Sequence, residues 1–298
     1  MRYKPIRKAG MGMDDLLRIV RTREIIKKYK FKFNKSLGQN FLIDDAILKK
    51  IIESSNLTKD DSVLEIGPGI GTLTMELASH AKKVLTIELD SSLMPILEDI
   101  FKGYDNIRIH HGDALKEDLK QVSSGYLDEP VSICANIPYY ITTPLITKFF
   151  KGELKIKTIV LMVQKEVAER MVADPGGKDY GALSLLVQYY SKPSIEAIAP
   201  PKCFMPRPKV DSAVIKLDIN KEPPVEIEDE DLFFRIIRSS FEQRRKTLSN
   251  SLKPLGIPSE ILLKAFQEAG IDPKRRGETL SLQEFAALYH KIEKALCD

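Results

Sequence analysis

From residue 62 onward, short apolar runs alternate with stretches whose apolar residues recur at helical spacing. Ser62–Ile66, Lys83–Glu88, Ile107–His110, Val131–Ala135 and Thr158–Val163 predict strands, because each is brief, apolar and rich in β-branched residues. Helical patterns run to about His80, from Ser91, and through Met171. This βαβ rhythm predicts an α/β fold with a mainly parallel, doubly wound sheet. Two later runs, Ser194–Ile198 and Asp211–Ile219, are joined by a Pro-rich connection with no crossover helix, which predicts an antiparallel hairpin at the sheet edge. The dipeptide Pro223-Pro224 and the acidic stretch after it read as a linker. Beyond it, residues 231–298 predict a small all-helical region of three or four helices.

Upstream of the sheet, Leu16, Leu17, Ile19, Val20, Ile25 and Ile26 predict an amphipathic helix over 14–29, with Asp14 and Asp15 at its positive end. The stretch Lys35–Asp44 is a loop containing Gly38, and Asp44 or Asp45 can cap a helix through Ile52.

The 298 residues suffice for one large domain or two ordinary ones. No apolar run approaches the ~18 residues of a membrane span, and no secretory signal is present, so a cytoplasmic protein without a membrane partner is expected. The three cysteines, Cys134, Cys203 and Cys297, lie far apart with no CxxC spacing, so neither a disulfide framework nor a metal site is expected. Net charge is +4, but residues 1–38 hold twelve Lys/Arg against three Asp/Glu, leaving −5 for the rest. A second basic cluster, Arg235, Arg238, Arg244, Arg245, Lys246 and Lys253, follows the acidic stretch Glu222–Asp231. Both are suited to phosphates.

The chemistry gathers at the carboxyl ends of the predicted strands, where open α/β sheets bind ligands. Val63-Leu-Glu-Ile-Gly-Pro-Gly-Ile-Gly71 runs from a strand into a turn with glycines at 67, 69 and 71, and such a turn lets backbone approach a ligand closely. Thr72 stands where the dinucleotide fingerprint requires glycine, which argues against nicotinamide or flavin cofactors. Glu88 ends the second strand and can accept hydrogen bonds from two ribose hydroxyls. Asp113, in Gly112-Asp-Ala114, can accept from an adenine amine.

Asn136-Ile-Pro-Tyr139 follows the fourth strand at the same edge. An exocyclic adenine amine is a poor nucleophile because its lone pair is delocalised into the ring. The Asn136 side-chain oxygen and a backbone carbonyl near Pro138 can draw its hydrogens out of plane. Tyr139 can stack on the base, an interaction worth roughly 1–3 kcal/mol in nucleic-acid binders. Phe204, framed by prolines, can form the opposite wall for an extruded base or plug the core.

With these residues assembled, the chain resembles the KsgA-type family of rRNA adenine N6-dimethyltransferases, from about Phe33 to the C-terminal region. The resemblance rests on Gly38-Gln-Asn-Phe-Leu42, Glu65-Ile-Gly-Pro-Gly69, Glu88, Gly112-Asp-Ala114, Asn136-Ile-Pro-Tyr139, Gln164-Lys-Glu166, Tyr180-Gly181, Phe204 through Ser212, and Gln243-Arg-Arg-Lys-Thr247. It implies a Rossmann-like class I methyltransferase domain over 33–220 and a helical RNA-docking domain over 221–298; the basic helical extension over 1–32 goes beyond what the family core requires. The family implies S-adenosyl-L-methionine as methyl donor and two adjacent adenines near the 3′ end of small-subunit rRNA, within an assembling 30S particle, as target. A monomer is expected.

Carried over by motif, Asn40 and Leu42 belong to a loop closing over the cofactor and Gly67 backs its methionine portion. Glu88 binds the ribose, Asp113 the cofactor adenine, and Asn136 sits beside both donor and target amine. Tyr139 and Phe204 flank the flipped base. Ile137 replaces the more usual Leu, and Tyr140 stands where some members have Asn. Two other functions compete: the related large-subunit dimethyltransferase of macrolide resistance, and an assembly factor whose main work is docking. Lys209-Val-Asp-Ser212 and the Gln243–Lys246 cluster favour the small-subunit enzyme.

Overall fold

The computed structural model describes residues 22–34, 37–243 and 245–297. The start of the helix expected over 14–29, Arg244 and the side chain of Cys297 lie outside the described residues. Residues 22–28 are helical. The elements then follow as β1 (Phe41–Leu42), α1 (Asp45–Ser55), β2 (Ser62–Ile66), α2 (Thr72–His80), β3 (Lys83–Glu88), α3 (Met94–Ile100), β4 (Ile107–His111) and α4 (Leu119–Ser123). Next come β5 (Val131–Asn136), α5 (Thr142–Lys151), β6 (Ile156–Gln164), α6 (Lys165–Met171), α7 (Ala182–Tyr190), β7 (Ser191–Ala199), β8 (Phe204–Met205) and β9 (Ser212–Ile219). Four helices close the chain: α8 (Glu230–Glu242), α9 (Leu248–Ser251), α10 (Ser259–Glu268) and α11 (Leu282–Cys297).

Seven strands form one sheet in the order β4-β3-β2-β5-β6-β9-β7, and β1 pairs with β8 in a two-stranded ribbon. The pairs β2·β3, β3·β4, β2·β5 and β5·β6 are parallel, as the βαβ rhythm requires. The two late apolar runs are neighbours at the β7 edge. Successive strands step outward from β2 through β3 to β4 and, on the other side, from β5 to β6, so the strand order reverses between β2 and β5. That reversal opens a crevice at the carboxyl ends of both strands.

The chain divides into two packed units, Met1–Lys165 with Ile195–Lys216, and Glu166–Ser194 with Leu217–Asp298. In the first, Val63, Val84, Cys134, Val160 and Val214 of the sheet pack with Ile47, Leu48 and Ile51 of α1 and Leu73 and Leu77 of α2. Asp44, rather than Asp45, caps α1: its side chain accepts the Ile47 N–H at 3.0 Å, a contact worth about 1 kcal/mol. Asp45 pairs instead with Lys49 one turn on. Cys134 and Cys203 are buried thiols, and that of Cys203 donates to Asp44 Oδ2 at 3.2 Å.

A second cluster of this unit joins Phe41, Ile70, Leu93, Leu97 and Phe101 to Phe31, with Ile25, Ile26, Tyr29 and Phe33 packed against it. The basic segment therefore contributes apolar side chains to the core ahead of the sheet. Lys28 adds an ion pair to Asp99 at 2.7 Å.

In the other unit, Tyr180, Leu185 and Tyr189 share a core with Phe233, Phe234, Ile237, Phe285 and Tyr289. The Tyr180 hydroxyl donates to the Leu280 carbonyl at 2.8 Å. Helix α8 is amphipathic, burying Phe233, Phe234, Ile236 and Ile237 while Arg235 and Arg238 are exposed, as are Arg245, Lys246 and Lys253 beyond it. Among the described residues no helix is long and apolar enough to cross a membrane.

Candidate active site

The crevice at the carboxyl ends of β2, β3, β4 and β5 is a cleft of about 1080 Å³, its mouth included. Asn40, Leu42, Gly67, Glu88, Asp113, Asn136, Pro138 and Tyr139 all line it. Residues as far apart in the chain as Asn40 and Tyr139 thus converge because each sits at the end of a parallel strand or on the loop beside it.

The glycine turn forms the floor. Gly67 follows β2 with φ +70°, and a Cβ there would point into open space, with no atom within 4 Å. A bare backbone facing an open cleft is what a closely held ligand needs. Gly71 closes the turn in the left-handed region, φ +80°, where a Cβ would lie 2.6 Å from the Phe101 ring.

Three carboxyl groups line the cleft walls. Glu88 is 6% exposed and its Oε1 accepts the Asp90 backbone N–H at 2.7 Å. Burial pushes it up to about 7, with backbone donors from Asp90, Gly69 and Leu89 working the other way. Among the described residues it has no ion-pair partner, so its oxygens are suited to hydroxyl donors. Glu65, 1% exposed, accepts the Thr74 hydroxyl at 2.6 Å and is pushed up to about 8, by burial first and by the charge of Glu88 last. Asp113 folds into a tight turn in which its Oδ1 accepts the Leu115 N–H at 3.0 Å. Lys148 on α5 ties that turn down, its ammonium donating to the carbonyls of Leu115, at 2.8 Å, and Glu117.

Asn136 ends β5. Its side-chain nitrogen donates to the backbone carbonyl of Asn40 at 2.9 Å, while the Asn40 side chain donates to the Gly38 carbonyl at 2.9 Å. With its nitrogen committed, the amide presents its oxygen as the group left to accept. The Pro138 carbonyl accepts the Ile141 N–H at 3.2 Å, and a carbonyl oxygen has a second lone pair. Tyr139 is fixed from the far end of its ring: its hydroxyl lies 2.7 Å from that of Ser212, which is fully buried at the start of β9. Burial pushes the Tyr139 hydroxyl up, with the Ser212 bond opposing, so the phenol stays protonated at neutral pH.

Phe204 is placed differently from the other expected residues. It is 2% exposed and outside the cleft lining, because pairing with Leu42 in the β1–β8 ribbon turns its ring into the core beside Ile47, Val160 and Val214. Sequence reasoning also assigned no part to Gln39, Lys148 or Ser212. Gln39 fastens the loop before β1, receiving the Asn34 N–H at 2.8 Å and donating to Asp90 at 2.6 Å. Gln39 and Ser212 stand inside quoted motifs, which was a usable signal; Lys148 carried none.

A model of the ribosomal RNA adenine dimethylase family matches residues 30–294. The chain belongs to that family. It is 52% identical over 275 residues to a ribosomal RNA small subunit methyltransferase A of Clostridium perfringens, covering 92% of this chain and 96% of the relative. It is 53% identical over 267 residues to a protein of the same name from Clostridium botulinum, covering 90% and 96%. Among solved structures, a dimethyladenosine transferase from Plasmodium falciparum superposes with a TM-score of 0.74 at 30% identity, over 85% of this chain and 98% of that one. The 23S rRNA methyltransferase ErmE superposes with a TM-score of 0.66 at 25% identity, over 85% and 100%. The family is one of methyltransferases, with a Rossmann-like sheet and a helical C-terminal part.

Proposed function

We propose that this enzyme dimethylates the N6 amines of two adjacent adenines near the 3′ end of 16S rRNA, acting as a monomer on the assembling small subunit in the cytoplasm. The observation that carries the reading is the pairing at the cleft of Asn136, its nitrogen held by the Asn40 carbonyl, with Tyr139, held by Ser212.

The residues fit S-adenosyl-L-methionine: an open glycine floor, a buried carboxyl group with no cation paired to it among the described residues, and an acceptor in the turn after β4. When bound, this cofactor supplies an electrophilic methyl group. Gly67 would back its methionine portion, Glu88 accept from the ribose hydroxyls, Asp113 accept from its adenine, and Asn40 and Leu42 close the loop above it. Asn136 Oδ1 and the Pro138 carbonyl would accept the two hydrogens of the target amine, drawing the nitrogen lone pair out of conjugation. The alkylated amine is strongly acidic and loses its proton to water or to these acceptors, so no strong general base is required.

Tyr139 would stack on the extruded base. For Phe204 the proposed second wall requires the β1–β8 ribbon to shift when RNA binds. The exposed cations of α8 and the residues after it, Arg235, Arg238, Arg245, Lys246 and Lys253, are suited to phosphates and support RNA docking by residues 221–298.

The test is incubation with labelled methyl donor and under-methylated small subunits, large subunits or naked rRNAs, followed by nucleoside mass spectrometry. Dimethyladenosine arising only with small-subunit particles is the expected result. Label in large-subunit rRNA would replace this reading with the one suggested by ErmE, and no label despite cofactor binding would favour a docking factor.

A further inference from the structure

Residues 206–211, Pro-Arg-Pro-Lys-Val-Asp, form a short exposed strap between two anchors on the cleft. At one end the pairs Phe41↔Met205 and Leu42↔Phe204 fasten it to two cleft-lining residues. The Ile43 N–H adds a bond to the Cys203 carbonyl at 2.9 Å. At the other end Ser212 holds the hydroxyl of cleft-lining Tyr139 at 2.7 Å, and the Asp211 carbonyl accepts the Lys165 N–H at 3.0 Å.

Chain reach fixes where the strap can go. At roughly 3.3–3.6 Å per residue, Arg207 lies within roughly 7 Å of Met205 along the backbone, and Lys209 within roughly 11 Å of Ser212. The anchors are bonded to cleft-lining Phe41, Leu42 and Tyr139, so both cations are tethered within that reach of residues next to the cleft, and Pro206 and Pro208 limit how far the backbone between them can wander. Arg207 and Lys209 are exposed, and neither has a carboxylate partner among the described residues. Val210, between Lys209 and Asp211, is 45% exposed, and Tyr140 at the cleft is 58% exposed.

We propose that Arg207 and Lys209 hold the phosphates flanking the target nucleotide, while Val210 and Tyr140 present apolar surface to its neighbours. A base that leaves its stack to enter the cleft must bring its own backbone to the mouth, and two cations tethered within reach of it match that charge. This inference rests on the RNA-methylation reading above. It differs from that reading's docking surface in lying on the catalytic unit, at the reacting nucleotide.

The test compares wild-type enzyme with Arg207→Ala/Lys209→Ala, the charge-conserving Arg207→Lys/Lys209→Arg, and a control, Lys59→Ala/Lys82→Ala. The control removes two cations that precede β2 and β3, at the opposite ends of the strands. Binding of a synthetic RNA hairpin carrying two adjacent adenines is followed by fluorescence anisotropy across a potassium chloride series. Methylation of the same RNA is measured at saturating methyl donor.

Removing two phosphate contacts makes the slope of log affinity against log salt shallower by about 1.4, at roughly 0.7 per contact to a single strand. KM for RNA rises, while kcat at saturating RNA and calorimetric affinity for S-adenosylhomocysteine stay at wild-type values. The charge-conserving variant and the control keep the wild-type slope. If the wild-type enzyme methylates the hairpin and the double-alanine variant keeps its slope and KM, the strap is not a phosphate contact. A matching change in the control would equally overturn the proposal, since net charge alone would then explain it. If the wild-type enzyme methylates neither the hairpin nor small-subunit particles, the functional reading itself falls and this inference falls with it.

Discussion

The hydrogen bond between Tyr139 and Ser212 makes a sharp prediction because it joins the loop proposed to stack on the base to a strand some seventy residues away. Ser212→Ala removes the partner of a half-buried phenol and leaves the ring in place without its tether. A hydrogen bond of this kind is worth about 0.5–1.5 kcal/mol net. If that energy holds Tyr139 in the orientation the reaction uses, kcat falls roughly two- to twelvefold, at about 1.36 kcal/mol per factor of ten. Tyr139→Phe deletes the same bond from the other side and keeps the ring, so it should cost the same factor. The two together should cost no more than either alone. The assay is kcat at saturating methyl donor and RNA for the four members of this cycle, with calorimetric affinity for S-adenosylhomocysteine as the control expected not to move. Ser212→Thr, which retains a hydroxyl, should recover most of the rate. Independent, multiplying losses in the double variant would refute a shared tether, because the effects would then have separate origins.

Other outcomes follow from the same geometry. Asn136→Ala should keep cofactor affinity and lose methyl transfer, and near-normal turnover would remove Asn136 from the reaction. Burial raises Glu65 from 4.5 to about 8 and Glu88 to about 7, so the folded state prefers both protonated. Their contribution to stability is fully present below about pH 4.5 and is lost as pH rises through 7 and 8. Glu65→Gln, which can still accept the Thr74 hydroxyl, should therefore raise the melting temperature at pH 8.5 and change it little at pH 4; a uniform shift at both would contradict the assignment. Gly71→Ala places a Cβ 2.6 Å from the Phe101 ring at φ +80° and should destabilise by more than the roughly 1–2 kcal/mol of the backbone term alone, read by denaturant titration. Phe204→Ala should cost about 3–5 kcal/mol as a core truncation. Phe204→Leu, which keeps most of that packing, separates the roles: wild-type kcat with Leu would leave Phe204 a core residue and nothing more.

The parallel part of the fold was legible because a buried strand in a doubly wound sheet must be short, apolar and followed by an amphipathic helix, and β2, β3, β5 and β6 obey that rule. Their carboxyl ends could therefore be put on one edge before any coordinates, which is why Glu88, Asp113 and Asn136 meet in one cleft. Phe204 was not settled in the same way. Proline framing restricts its backbone but does not say which face of a two-residue ribbon its ring occupies, and the register Leu42↔Phe204 decides that. Nor does spacing reveal that residues 182–190, far from the C-terminal helices in sequence, share their core through Leu185 and Tyr189. Lys148 was invisible for a related reason. A lysine on an amphipathic helix reads as solvated surface, and only the fold shows its ammonium spanning two carbonyls of the turn that carries Asp113.

These contacts share a logic that bears on how the site works. Two side chains expected to touch the target are each held by a segment remote in sequence: Asn136 by Asn40, Tyr139 by Ser212. The loop that supplies Asn40 is itself fastened by Gln39 to Asp90, two residues beyond Glu88, the carboxylate proposed to bind the ribose. Binding of a nucleoside at Glu88 would therefore bear on the same loop that sets the Asn136 amide, through a chain of hydrogen bonds that needs no large movement. Such coupling predicts an order of events, cofactor first and RNA second, because the amide is best fixed once the loop is loaded. Gln39→Ala cuts the chain without touching donor or target. It should weaken cofactor affinity modestly and lower kcat even at saturating cofactor. A pure affinity loss with unchanged kcat would show that Gln39 fastens the loop but does not reach the reacting amine.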